Sequence, residues 1–127
     1  MRRPSTTFVA TRAAVTAWGL ENQALNPEQF SNAATSVRLP SGHDADRLRR
    51  IILDRFDMSL GKGLGMLEGQ VFRIGHLGDF NDLTLAGTLA GVEMGLSAAE
   101  VPHQPGGVLA AMEVLRADPA QQEMVGV

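Results

Sequence analysis

An arginine in the middle of a short apolar run is the residue whose type and position first suggest chemistry. Arg73 lies between Phe72 and Ile74 in the run Val71–Gly75, whose β-branched and aromatic residues predict a strand. Alternation along a strand places Arg73 on the face opposite to its two apolar neighbours. A buried charge needs an anionic partner or a route to water. From these residues alone, a solvent-facing arginine is favoured over an anion-binding one.

The other candidates for chemistry have spacings that match no standard site. His76, Asp79 and Asp82 fit no metal-binding motif, so we expect no metal. The single lysine, Lys62, lies between two glycines and lacks the desolvated setting that a catalytic lysine needs. The Gly-rich stretch 61–65 does not have the spacing of a phosphate-binding loop. We therefore interpret Lys62 as a surface residue.

Composition excludes several classes of protein. A chain of 127 residues suits one core, and a net charge of −3 without a basic patch makes nucleic acid an unexpected partner. The absence of cysteine excludes disulfides and thiolate sites and favours a reducing, cytoplasmic location. No apolar run approaches the ~20 residues that span a bilayer, so no membrane partner is expected. Residues 1–20 have the composition of a transit peptide, but an ordinary amphipathic helix is favoured because 11–20 continue as a helix through Trp18.

The elements that must position Arg73 alternate between helices and strands. Apolar spacing predicts helices over 11–20, 44–56, 81–96 and 107–116, and strands over 34–39, 58–60 and 71–75. Ser41 and Asp44 have capping-box spacing at the second helix, and Asp79 is expected to cap the third. Antiparallel pairing of 58–60 with 71–75 predicts an α+β fold: a two-layer sandwich, with a small, mostly antiparallel sheet covered by helices.

All four of these helices have recognisable apolar faces. The predicted core positions, at helical spacing, are Ala13, Ala14, Ala17, Trp18, Leu48, Ile51, Ile52, Phe56, Leu85, Leu89, Val92, Leu96, Val108, Leu109, Met112 and Leu115. The arginines of the second helix are expected on a solvated face. Gly87, Gly91 and Gly95 recur every fourth residue and predict close packing of the third helix.

Residues 71–96, VFRIGHLGDFNDLTLAGTLAGVEMGL, resemble the C-terminal small domain of the serine–glyoxylate aminotransferases. These are class V, fold-type I, pyridoxal-phosphate enzymes related to the alanine–glyoxylate aminotransferases. Neighbouring segments are similar too: LPSGHDAD at 39–46, LDRFDMSLG at 53–61, VPH at 101–103 and GGV at 106–108. The resemblance begins near Ala10 and runs to about Leu115, so it covers nearly the whole chain.

The resemblance implies a domain division and a role for one residue. Residues 1–33 would form an N-terminal helix and linker, a possible remnant of the joint to a large domain, and residues 34–127 the aminotransferase small domain. Arg73 corresponds to the family's carboxylate-binding arginine, so it is the expected substrate-binding residue. His76 and Gly78 would support the turn beyond it without taking part in chemistry.

The resemblance also implies what this chain lacks. The family's Schiff-base lysine lies in the large domain, and Lys62 does not correspond to it, so no catalytic residue is expected here and the isolated chain is expected to be inactive. The complete enzyme would bind pyridoxal phosphate, act on serine or alanine with glyoxylate, and form a homodimer; the truncated chain is expected to bind no cofactor. The alternative is a non-catalytic remnant that acts as an interaction or complementation module.

Overall fold

Helices and short strands alternate along the described chain. The computed structural model describes residues 6–22, 34–63, 65–75 and 82–117. Its helices are α1 (Thr6–Ala17), α2 (Ala45–Phe56), α3 (Asp82–Ala98) and α4 (Gly107–Arg116). Its strands are β1 (Glu21–Asn22), β2 (Ala34–Arg38), β3 (Gly61–Lys62) and β4 (Val71–Gly75), and a 3₁₀ turn covers Gly65–Leu67.

The four strands form one antiparallel sheet in the order β1-β2-β4-β3. Strand β4 is central, and in its register Arg73 lies opposite Ser36 on β2 and Gly61 on β3. The helices pack on the face that carries Val37, Phe72 and Ile74, whose side chains are fully buried in the core. The predicted α+β small-domain fold is confirmed.

The core forms where the apolar stripes of the helices meet this face. All four predicted positions of α3 are fully buried: Leu85, Leu89, Val92 and Leu96. Leu48 and Ile52 of α2 are also fully buried, as is Trp18 beyond the end of α1. Deep burial of one stripe explains why the core faces of α2 and α3 were predictable from spacing. On α1 the spacing was a poorer guide, since Ala14 is buried but Ala13 and Ala17 are only partly buried.

Some predicted core positions are wrong. Apolar side chains at the end of a helix, or at the margin of its apolar stripe, are exposed to solvent although their spacing predicts burial. Phe56 is the last residue of α2 and is 37% exposed. On α4, Leu109 and Met112 are exposed, whereas Ala111 and Leu115 are buried. Ala111 belongs to the core cluster, and α4 packs closely against α1.

The predicted strand 58–60 is also wrong. The edge strand begins at Gly61, one residue after the predicted strand ends. Leu60 is buried in the core, and its carbonyl accepts a hydrogen bond of 2.9 Å from Nε of Arg49. This carbonyl therefore bonds to a helix side chain, and pairing with β4 starts only at Gly61.

The ends of the first two helices differ from their predicted bounds. Helix α1 spans Thr6–Ala17, so it begins five residues earlier and ends three residues earlier than the predicted helix 11–20. Helix α2 is capped by Asp44 itself, whose carboxylate accepts from the Asp46 backbone N–H at 2.9 Å, and not by a capping box from Ser41. Asp79, the predicted cap of α3, lies outside the described residues.

The predicted close packing of α3 at its glycines is found at two of the three positions, Gly91 and Gly95. A Cβ on Gly95 would meet the side chain of Ile52, and one on Gly91 would lie 2.9 Å from Cε of Met58. A Cβ on Gly87 would meet nothing within 4 Å. The division of the chain near residue 33 stays a prediction.

Candidate functional site

Arg73 lies on the face of the sheet that faces away from the core cluster. Phe72 and Ile74 point into the core, so the alternation along β4 sends Arg73 to the opposite face. Ser36 and Arg38 of β2 share this face, and all three side chains are partly exposed. The strand thus holds a cation at the centre of a sheet, where it remains within reach of solvent.

One backbone carbonyl orients the guanidinium of Arg73. Its Nε donates a hydrogen bond of 3.1 Å to the carbonyl oxygen of Lys62 on the neighbouring strand β3. Within the described residues, no carboxylate forms an ion pair with Arg73. An arginine held in this way offers planar, charged N–H donors that suit a carboxylate.

The residue opposite Arg73 on β3 is Gly61. A Cβ added to Gly61 would lie 3.2 Å from Cβ and 3.2 Å from Nε of Arg73. The arginine side chain therefore lies across the edge strand, in the space that a side chain of residue 61 would otherwise occupy. In the sequence, Gly61 is distinguished only as the first residue of the Gly-rich stretch 61–65.

The other residues considered for chemistry do not join Arg73 in a site. Lys62 has a side chain that is 56% exposed and lies 3.9 Å from the carboxylate of Glu68, so it is a surface residue, as expected. His103 lies in a loop, with Nδ1 2.7 Å from the Val101 carbonyl oxygen. His76, Gly78 and Asp79 lie outside the described residues. Among the described residues, no group of three or more His, Asp or Glu is arranged to hold a metal ion.

Two features near this face had no clear signal in the sequence. Arg38 donates through Nη2 to Oε1 of Gln70 at 2.9 Å, which joins β2 to the residue before β4. Beside them lies a cavity of about 300 Å³, lined by Arg38, Leu39, Pro40, Ser41, Gly42, His43 and Gln70. Residues 38–43 are consecutive in the sequence, and the pairing of β2 with β4 brings Gln70 beside them, which a linear pattern could not reveal.

The described residues do not fit a pyridoxal-phosphate site by themselves. The cofactor needs a lysine that is desolvated and positioned by a pocket. Lys62 is the chain's single lysine, and it is exposed at a sheet edge beside Glu68. Lys62 therefore lacks the setting of a Schiff-base lysine, whereas the guanidinium of Arg73 has N–H donors of the kind that can bind a carboxylate.

The chain is similar in sequence and in fold to known aminotransferases. The chain is 46% identical over 111 residues to the serine–glyoxylate aminotransferase of Methylorubrum extorquens, a match that covers 87% of this chain. It is 43% identical over 106 residues, 83% of this chain, to the L-aspartate–glyoxylate aminotransferase of Paracoccus denitrificans. The structure of the pyridoxamine–pyruvate aminotransferase of Mesorhizobium loti superposes with a TM-score of 0.80 at 33% identity and covers 89% of this chain. No protein-family model matches the chain.

The similarity covers only part of each relative. The chain spans 28% of the Methylorubrum protein, 27% of the Paracoccus protein and 29% of the Mesorhizobium chain. No helix within the described parts of the chain combines the length and the apolar character needed to cross a membrane. Sequence and fold together place this chain in the class V aminotransferase family, where it corresponds to the C-terminal small domain of the serine–glyoxylate aminotransferases.

Proposed function

We propose that this chain is the small domain of a serine–glyoxylate or alanine–glyoxylate aminotransferase and that Arg73 binds the substrate carboxylate. One observation carries the proposal: Arg73 lies at the centre of the sheet face away from the core, with its Nε bonded to the Lys62 carbonyl. A strand positions an arginine more firmly than a loop does. The similarity to glyoxylate aminotransferases supports the choice of an amino acid as ligand.

The guanidinium suits this task because a transaminase must hold its amino acid in one orientation. A carboxylate accepts two parallel N–H bonds from the planar guanidinium, which fixes both its position and its rotation. A lysine would supply the same charge without the planar pair of donors. Transfer of the amino group requires a cofactor and a desolvated lysine, which the described residues do not supply. The role proposed for this chain is therefore binding and orientation of the substrate.

The test uses a chimera. The 111 residues of the Methylorubrum aminotransferase that match this chain are replaced by the corresponding residues of this chain. The rate of amino-group transfer is then measured with L-serine and with ethanolamine, which has the same amine and hydroxyl groups but no carboxylate. Arg73→Ala should lower kcat/KM for L-serine about ten- to a hundredfold, because one charge-assisted interaction contributes ~1.5–3 kcal/mol.

The controls separate this role from general damage. Arg73→Lys should also be impaired with L-serine, because it keeps the charge and loses the fork. Neither variant should change the rate with ethanolamine. Arg50→Ala, at an exposed position of α2, should leave both rates unchanged. Equal losses for the two substrates, or no loss with either, would refute carboxylate binding by Arg73.

A second function, that of a non-catalytic interaction module, is favoured by one observation. The single lysine is exposed and lies near Glu68, so the described chain has no residue able to hold the cofactor covalently. If the chimera is inactive with every amino donor although it folds and binds pyridoxal phosphate, this second function is supported.

A further inference from the structure

The glycine opposite Arg73 is not required by its own backbone. The φ angle of Gly61 does not lie in the left-handed region, unlike those of Gly65 and Gly69 nearby. Any L-amino acid can therefore adopt this conformation. Gly61 and Lys62 pair with Arg73 and Phe72 in continuous register, so no bulge accounts for the glycine. Another constraint must operate at this position.

That constraint is the limited room on the side of Gly61 where a Cβ atom would lie. Side chains directly opposite each other in an antiparallel sheet normally have Cβ atoms about 4.5–5.5 Å apart. A Cβ on Gly61 would lie only 3.2 Å from Cβ of Arg73, and also 3.2 Å from its Nε and 3.5 Å from its Nη2. The side chain of Arg73 thus lies directly over Gly61, along its length from Cβ to the guanidinium.

The position of the Arg73 side chain determines which edge of its guanidinium is available to a ligand. From its place over Gly61, Arg73 reaches the next carbonyl, that of Lys62, with Nε. A guanidinium has two forks, one formed by Nε with one Nη atom and one formed by Nη1 with Nη2. Because Nε is bonded to Lys62, a carboxylate is left with the Nη1–Nη2 fork at the end of the side chain.

We propose that Gly61 is a positioning residue for Arg73: its missing side chain lets the arginine lie across β3, bond to Lys62 and present its Nη1–Nη2 edge to a carboxylate. The last part rests on the function proposed above, and the positioning itself does not. A methyl group at residue 61 lies 3.2 Å from both Cβ and Nε of Arg73, so the arginine side chain must shift by a few tenths of an ångström, which weakens its bond to Lys62.

The positioning is tested on the 127-residue chain by NMR of the arginine side chains. The signals are assigned with Arg73→Lys and Arg49→Lys. The Nε–H of Arg73 should exchange slowly with water, because it is hydrogen bonded, and Gly61→Ala should speed that exchange about fivefold or more. Arg49 is the internal reference, since its Nε bonds to the Leu60 carbonyl at 2.9 Å and should not change. Gly87→Ala is the control glycine, because its Cβ meets nothing within 4 Å.

The consequence for a substrate is tested in the chimera with a double-mutant cycle. Gly61→Ala should lower kcat/KM for L-serine about tenfold or more and leave ethanolamine unchanged, because the carboxylate is held in the wrong place. In an Arg73→Ala background, Gly61→Ala should cause no further loss, since it acts only through the arginine. The same loss in both backgrounds would overturn the proposal.

The outcomes distinguish this inference from the function on which it partly rests. If Arg73→Ala does not selectively impair L-serine, the proposed function fails, whereas faster Nε exchange in Gly61→Ala still supports the positioning. Unchanged Nε exchange overturns the positioning even if Arg73 binds the substrate. If Gly61→Ala does not fold, the double variant Gly61→Ala/Arg73→Gly decides, because Arg73→Ala would keep the Cβ that lies 3.2 Å from the added one: a recovered fold supports a clash with the arginine side chain, and an unfolded chain contradicts it.

Discussion

The indole Nε1 of Trp18 donates a hydrogen bond of 2.6 Å to Oε1 of Glu93, although the two residues are 75 positions apart in sequence. The same oxygen accepts a bond of 2.9 Å from the backbone N–H of Gly107, the first residue of α4. No side chain caps α4 at Gly106, so Glu93 satisfies the start of this helix and lies favourably at the positive end of its dipole. One carboxylate therefore joins α3, α4 and the end of α1.

Removing this carboxylate should destabilise the fold. Glu93→Ala leaves the indole N–H and the Gly107 N–H without their acceptor, so we expect a loss of about 2–3 kcal/mol in the free energy of unfolding. Glu93→Gln keeps an oxygen acceptor and should cost less. Glu113→Ala removes an exposed carboxylate that pairs only with Arg116 at the surface and should change little. Urea unfolding measures all three, and equal losses for Glu93→Ala and Glu113→Ala would contradict the role of Glu93.

Two glycines of α3 should respond in opposite directions to the same substitution. A Cβ on Gly95 would lie 2.6 Å from Cδ1 of Ile52, so Gly95→Ala overpacks the contact between α2 and α3 and should cost about 1–3 kcal/mol. Gly87 has open space above it, and Gly87→Ala should stabilise the helix by about 0.5–1 kcal/mol. Thermal unfolding of both variants measures the difference, and a shift in the same direction for both would show that α2 and α3 do not pack as described.

A charge placed on the buried face of α2 should prevent folding. Ile52 is fully buried, and an unpaired carboxylate there costs several kcal/mol, comparable with the ~5–15 kcal/mol of a whole domain. The matched control is Arg50→Asp on the exposed side of the same helix. Arg49 is not a suitable control, since its Nε bonds to Leu60 and its Nη1 pairs with Asp46 at 3.3 Å. A folded Ile52→Asp chain, judged by circular dichroism, would refute the packing of α2.

The isolated chain should have no transaminase activity. Lys62 is exposed and lies 3.9 Å from Glu68, where nothing desolvates its ammonium group. Pyridoxal phosphate added to the 127-residue chain should produce no stable visible absorbance that depends on Lys62, and no turnover of serine with glyoxylate. Lys62→Ala is the comparison. A stable band that this substitution abolishes, together with turnover, would show that the chain is active by itself.

The sequence predicted the elements whose signal is local. Strand β4, helix α4 and the buried stripe of α3 follow from alternation and helical spacing, because these patterns depend on neighbouring residues alone. Helix α1 was predicted too close to residue 20, and the strand predicted at 58–60 lies at Gly61–Lys62, so it begins three residues later. Both errors lie at positions where a tertiary contact, and not the local sequence, determines where the element ends or begins. These contacts are the burial of Trp18 beyond α1 and the bond from Arg49 to the Leu60 carbonyl.

The sequence by itself determined that Arg73 and its apolar neighbours lie on opposite faces of a strand, because alternation is a property of the extended backbone. Only the tertiary structure decided what holds the guanidinium. Gly61 and the Lys62 carbonyl reach Arg73 through the pairing of β3 with β4, which joins residues that no linear pattern connects. The carboxylate of Glu93 is similar: on the sequence it interrupts an apolar run, and in the fold it accepts from Trp18 and Gly107 because three chain segments converge on it. Local backbone preferences can be read along the chain, whereas hydrogen bonds between distant segments exist only after the chain has packed.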